Sequence, residues 1–149
     1  MKRNFSMLLG ALAALILVSC NSNPTITSPE HVEWKVEKMA DYESAIADEN
    51  RPTLKLFMAK AVGSTGCNSF NGSFSLQSES IKFPAPTFAL TKKMCPPNLM
   101  EIEKHYIGLL GRVESWTIDG DNMLHLKDGT GTELLVMSFV RELESTETL

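Results

Sequence analysis

Along most of this chain hydrophobic and polar residues alternate. Val32, Trp34 and Val36 are separated by Glu33, Lys35 and Glu37, the period of two expected of a strand with one buried face. Leu54, Leu56 and Met58 repeat it more weakly around Lys55 and Phe57; Phe74 and Leu76 sit among serines, and Ile81 and Phe83 flank Lys82. Further on, Trp116 and Ile118 lead into Asp119-Gly120-Asp121-Asn122. Leu124 and Leu126 follow, and Asp128-Gly129-Thr130-Gly131 precedes a last apolar stretch from Leu134 to Val140. Turn residues at such short spacing predict hairpins in an antiparallel sheet or small barrel. One stretch departs from this period. After Pro96 and Pro97, residues Leu99, Ile102, Tyr106, Leu109 and Leu110 fall on one stripe of a helix over about residues 98–110. Asn98 is placed to cap it, and Glu101 completes a box-like pair. Gly111 can end it in the left-handed conformation. The expected fold class is mainly β: a compact antiparallel, barrel-like sheet with one amphipathic helix over an opening or a face.

The two ends read differently. Lys2 and Arg3 precede an apolar segment from Phe5 to Val18, which ends in Leu17-Val18-Ser19-Cys20. That is the layout of a secretory signal, too short for a permanent membrane span, which needs roughly 20 apolar residues. The Leu-Val-Ser-Cys run resembles the bacterial lipobox. The resemblance implies a signal peptide over residues 1–19, a diacylglycerol on the Cys20 thiol and acylation, for example with palmitate, of the new amine. Several acyl chains make a stable anchor. Residues 20–30, polar and broken by Pro24 and Pro29, read as the lipidated cysteine and a flexible tether. The domain is expected over 31–141 and a polar tail over 142–149. Asn21 stands where enteric bacteria use Asp to retain lipoproteins in the inner membrane. By that rule the mature protein belongs to the outer membrane, facing the periplasm.

Charge narrows the partners. Without Lys2 and Arg3 the 14 basic residues fall to 12 against 18 acidic ones, a net charge near −6. Nucleic acid needs a basic face, so it is excluded, and electrostatic binding to anionic lipid is disfavoured. Residues 20–149 suit one domain with one core. Apart from Cys20 only Cys67 and Cys95 remain. Beyond the inner membrane the compartment is oxidising, so the pair reads as a disulfide; the alternative is two unpaired buried thiols.

The richest stretch runs from Gly63 to Phe74: Gly-Ser-Thr-Gly-Cys-Asn-Ser-Phe-Asn-Gly-Ser-Phe. Glycine permits tight turns and positive φ, and Asn tolerates the left-handed region. The Gly-Lys-Ser/Thr ending of a phosphate-binding loop is missing. The residues themselves predict a strand, a connection pinned by Cys67, and a second strand beginning near Gly72. The motif Gly66-Cys67-Asn68, followed by Asn71-Gly72, resembles the signature of the META domain, the HslJ-like family of small bacterial lipoproteins. Trp34, Pro52-Thr53-Leu54-Lys55-Leu56, Thr91-Lys92-Lys93-Met94-Cys95 and Leu109-Leu110 agree with it in order. The resemblance covers about residues 31–141. It implies a barrel-like sheet with one helix, a structural role for the motif residues, and a link to heat-shock response and antibiotic tolerance. It carries no catalytic residues.

Reactive chemistry is thin. His31, His105 and His125 have no ligand-like spacing, and His125, between Leu124 and Leu126, is expected to face solvent. No serine lies in a Gly-x-Ser-x-Gly elbow. Asp119, Asp121 and Asp128 near two turns suggest at most a weak calcium site without the EF-hand pattern. Met39, Met58, Met94, Met100, Met123 and Met137 are scattered, as core filling rather than a copper site. The expectation is a non-catalytic envelope lipoprotein without cofactor or metal, anchored to the membrane and binding a protein or cell-wall partner. The alternatives are a small apolar-ligand carrier and an inhibitor of a cell-wall hydrolase.

Overall fold

The computed structural model describes residues 25–84 and 87–144. The signal segment, Cys20 and the rest of the tether before Thr25 lie outside the described residues, as do residues 145–149 of the tail. The ten strands are β1 (Val32–Met39), β2 (Thr53–Phe57), β3 (Lys60–Ser64), β4 (Ser69–Ser73), β5 (Ser75–Gln77), β6 (Ser80–Lys82), β7 (Ala89–Leu90), β8 (Ser115–Ile118), β9 (Met123–Lys127) and β10 (Glu133–Glu142). A helix, α1 (Pro97–Leu110), separates β7 from β8, and a 3-10 turn spans Asp48–Asn50.

All ten strands join one antiparallel sheet in the order β5-β6-β8-β9-β10-β1-β2-β3-β4-β7. Only Phe74 separates β4 from β5, yet the two strands stand near opposite edges of that order. One continuous run can supply both edges only if the sheet curls back on itself, so the result is a half-barrel. Phe74 turns that corner buried, its N–H donating to the Ala59 carbonyl at 3.1 Å.

Alternation decides which side chains fill the half-barrel. Val32, Trp34 and Val36 on β1, Leu54 and Leu56 on β2, Leu124 and Leu126 on β9, and Leu135 and Met137 on β10 are all buried. Burying one such aliphatic side chain contributes roughly 1.5–3 kcal/mol. The β2 pattern holds only to Leu56. Phe57 is buried, while Met58 is 71% exposed. Met58 and Ala59 form the β2–β3 turn with φ of 47° and 61°, a left-handed geometry that Asn-Gly normally announces.

The helix carries the expected stripe, with Ile102, Tyr106, Leu109 and Leu110 buried and Leu99 half-buried. Its ends differ from the sequence reading. Pro97 occupies the first helical turn, the cap position is Pro96, and no side chain caps it. Asn98 is already inside the helix, so the Asn98–Glu101 box does not form. Proline at the start needs less capping, because its missing N–H is one of the unpaired donors. Gly111 keeps a right-handed φ of −67°. The chain tightens through Arg112 N–H to Leu109 and Val113 N–H to Leu110, which brings Val113 into the core.

Register gives the half-barrel two distinct ends. Val32 pairs with Glu142 and with Leu56, and Met123 with Ser138. The starts of β1 and β9, the ends of β2 and β10, and the turns Met58–Ala59 and Asp119–Asn122 therefore share one end. The chain enters and leaves there. Ile26 is buried with its N–H on Asn122 Oδ1 at 3.0 Å, and the Trp34 indole donates to the Pro29 carbonyl at 2.9 Å. Thus the stretch read as tether already belongs to the core at Ile26, and Leu143 of the expected tail is buried beside it. The opposite end is covered by α1. Tyr106 Oη donates to the Thr53 carbonyl at 3.3 Å, and His105 Nε2 lies 2.6 Å from the Ala40 carbonyl.

Candidate functional site

The helix end gathers most of the residues singled out in the sequence. Its centre is the β3–β4 turn, residues 65–68, so the second strand starts at Ser69 rather than near Gly72. Gly66 has φ +90°, and a Cβ there would meet the Asn50 carbonyl oxygen at 2.3 Å. Both facts require glycine. Thr65 is fully buried; its hydroxyl accepts the N–H of Asn68 at 2.9 Å and donates to Glu103 Oε2 on α1 at 2.6 Å. Cys67 and Cys95 are bonded, with Cα atoms 6.0 Å apart, within the range a disulfide allows.

Asn68 is 2% exposed, and both polar atoms of its side chain are engaged. Its Oδ1 accepts the Thr91 hydroxyl and the Lys93 N–H, each at 2.8 Å, and its Nδ2 donates to Cys67 Sγ at 3.3 Å. These bonds lead the segment after β7 past the turn, so that Cys95 arrives opposite Cys67. A buried amide left without such partners would cost roughly 1–3 kcal/mol. Gly72 lies under Phe88, whose ring a Cβ would meet at 2.5 Å. Asn71 is exposed and pairs across the strands with Val62 and Ala89. Gly66, Cys67, Asn68 and Gly72 therefore shape a turn, seat a disulfide and admit an aromatic ring.

Around this fixed turn two thioethers reach the surface, among exposed Thr91, Lys92, Lys93 and Asn98. Met94, just before Cys95, is 99% exposed, and Met100 on α1 is 40% exposed with its Sδ 3.7 Å from Cys67 Sγ. Reading the methionines as core filling holds for Met39 and Met137, which are buried, and fails for Met58, Met94 and Met100. Tyr106 beneath the site has its phenol pushed far up by burial, so it stays neutral and acts as a hydrogen-bond donor.

A second cluster was missed in the sequence. His125 does not simply face solvent. Its Nδ1 lies 2.7 Å from Glu133 Oε2 and its Nε2 3.0 Å from Asp119 Oδ2. Burial works to lower its pKa, but the bonds to Asp119 and Glu133 outweigh that and raise it. The His125 bond holds the Asp119 carboxyl below its usual range, aided by the Met123 N–H. The carboxylates face opposite nitrogens of one ring and cannot converge on an ion. Asp119 and Asp128 are further engaged by the N–H groups of their own turns. Among the described residues no group of three or more His, Cys, Asp or Glu could hold a metal.

The META domain model matches residues 26–140 of the chain. An NMR structure of a protein from Burkholderia xenovorans superposes with a TM-score of 0.61 at 21% identity, covering 85% of this chain and 98% of the other. A second NMR structure gives 0.56 at 20% identity, covering 76% and 95%. Both likenesses speak of the fold alone. No curated protein matches the chain.

Proposed function

The chain belongs to the META-domain family, and on that premise we propose that it is a lipid-anchored envelope protein whose domain binds a partner rather than transforming a substrate. Cys20 is the acyl acceptor and Cys67–Cys95 stiffens the working surface. The working surface is the helix end: the disulfide-pinned turn, Met94, Met100 and the outer face of α1. The partner is a protein or a cell-wall component of the periplasm, met at the outer membrane, and envelope stress is the setting the family suggests. Nothing in the negative charge of the chain suits nucleic acid.

The observation that carries this reading is the contrast across the helix end. Inward, Trp34, Tyr106, Leu54 and Leu110 fill the half-barrel with side chains under 2% exposed. Outward, unbranched thioethers stand in solvent on a backbone that a disulfide and a buried asparagine hold still. Methionine adapts to irregular surfaces, and a rigid base lowers the ordering cost of binding. A carrier of small apolar molecules needs enclosed space. The cleft of about 440 Å³ beside Gly72 opens to solvent between Lys60, Asn71 and Thr87, so the carrier reading draws less support. Inhibition of a wall hydrolase is one form that partner binding could take.

Photo-crosslinking in intact cells tests the proposal. A photoreactive residue at Met94 is expected to give discrete adducts, and one at exposed Lys82 on β6 is not. Equal yields from both positions, or none from Met94, contradict it.

A further inference from the structure

We propose that the end of the half-barrel opposite the helix is the membrane-facing end, and that the bilayer holding the protein's own acyl chains is what it faces. The proposal rests on the lipidated Cys20 read above. The chain is fixed from Ile26 onward, because that side chain is 7% exposed and its N–H is held by Asn122 Oδ1. Five residues separate the acylated Cys20 from it, and the six steps between the two Cα atoms span at most about 22 Å when fully extended. Strand β10 has ten residues, roughly 30 Å along its axis and about 25 Å in height at the usual barrel tilt of about 40°. An inverted domain, helix end down, would lift Ile26 beyond that reach.

The surface at this end agrees. Val32 pairs with Leu56, His31 packs edge-on against Phe57 at 4.9 Å, and Leu143 donates its N–H to His31. Ile26, His31 and Leu143 line one cleft, and Phe57 leads from His31 to the Met58–Ala59 turn; Ile26 and Phe57 are themselves buried, so the turn is the exposed apolar part of this end. Met58 projects from it 71% exposed, in a left-handed conformation that glycine or asparagine would adopt at less cost. Lys60 follows, also exposed, with a stem that can lie along apolar surface while its ammonium stays in water. Glu30, Asp119, Asp121, Glu142 and Glu144 are exposed or half-exposed at this end, so the contact is made by the Met58–Ala59 turn rather than by an attraction to anionic headgroups. The helix end, with Met94 and Met100, then points away from the bilayer toward its partner.

The test uses the full acylated chain in phosphatidylcholine vesicles carrying a headgroup spin label. A fluorophore is placed at Met58→Cys or, on the outer face of α1, at Lys104→Cys; Lys60→Cys is a second reporter in case the turn variant misfolds. Cys20 is acylated and Cys67 is bonded to Cys95, so neither competes for the label. Quenching at positions 58 and 60 is expected to exceed that at 104 several-fold, and to stay the same when anionic lipid is added. Equal quenching on an acylated chain, or stronger quenching at 104, overturns the orientation alone. Absence of acyl mass at the mature amino terminus overturns the anchor reading and the orientation with it.

Discussion

At the scale of single residues, the sequence revealed what depends on one side chain and hid what depends on pairs. Gly66 and Cys67 were legible because few residues tolerate positive φ and because only Cys95 remains to pair with Cys67. His125 was not, since Asp119 and Glu133 reach it across two turns. Its behaviour with pH follows from the direction of its shift. The raised pKa means the folded protein binds the His125 proton more tightly than the unfolded chain. That stabilisation is complete below the unfolded value of about 6.5 and is lost as pH rises through the higher folded value. The depressed Asp119 adds stability above its unfolded range, lost as pH falls through the folded one. The melting temperature should therefore fall on going from about pH 6 to 8, and His125→Gln should remove most of that slope. Identical slopes in the two proteins would show that the cluster does not couple to folding.

At the scale of elements, the helix stripe and the strands were legible because 3.6 and 2 are different periods. The boundaries were less so. Asn98 with Glu101 has the letters of a capping box, but Pro97 starts the helix one residue earlier. Met58-Ala59 has none of the letters of its turn, and Met58 continues the alternation of the strand before it. What binds these elements at the helix end is the bond across 28 positions of sequence between Cys67 and Cys95. Loop-closure entropy assigns such a crosslink roughly 3–4 kcal/mol. Cys67→Ser, compared in denaturant titration with the oxidised parent, should lose about that much. A loss under about 1 kcal/mol would mean that Asn68 and the Thr65–Glu103 bond hold the turn without it.

At the scale of the whole molecule, the class of fold followed from alternation, and the family from a short motif, while the strand order did not. Nothing local indicates that β4 and β5, one residue apart, belong to opposite sides of the sheet. Nor did the prolines of the supposed tether reveal that Ile26 is core, because a single apolar residue among polar ones has no period. Those two features define an entry end and a helix end, and the account assigns the bilayer to one and a partner to the other. Methionine-oxidation footprinting tests this directly, since Met58 reports one end and Met94 and Met100 the other. The acylated protein is oxidised in detergent and in intact envelopes, and each peptide is weighed. The account predicts rapid oxidation of Met58 and Met94 in detergent, and protection of both, with Met100, in envelopes. Met94 oxidised equally fast in both settings would contradict it.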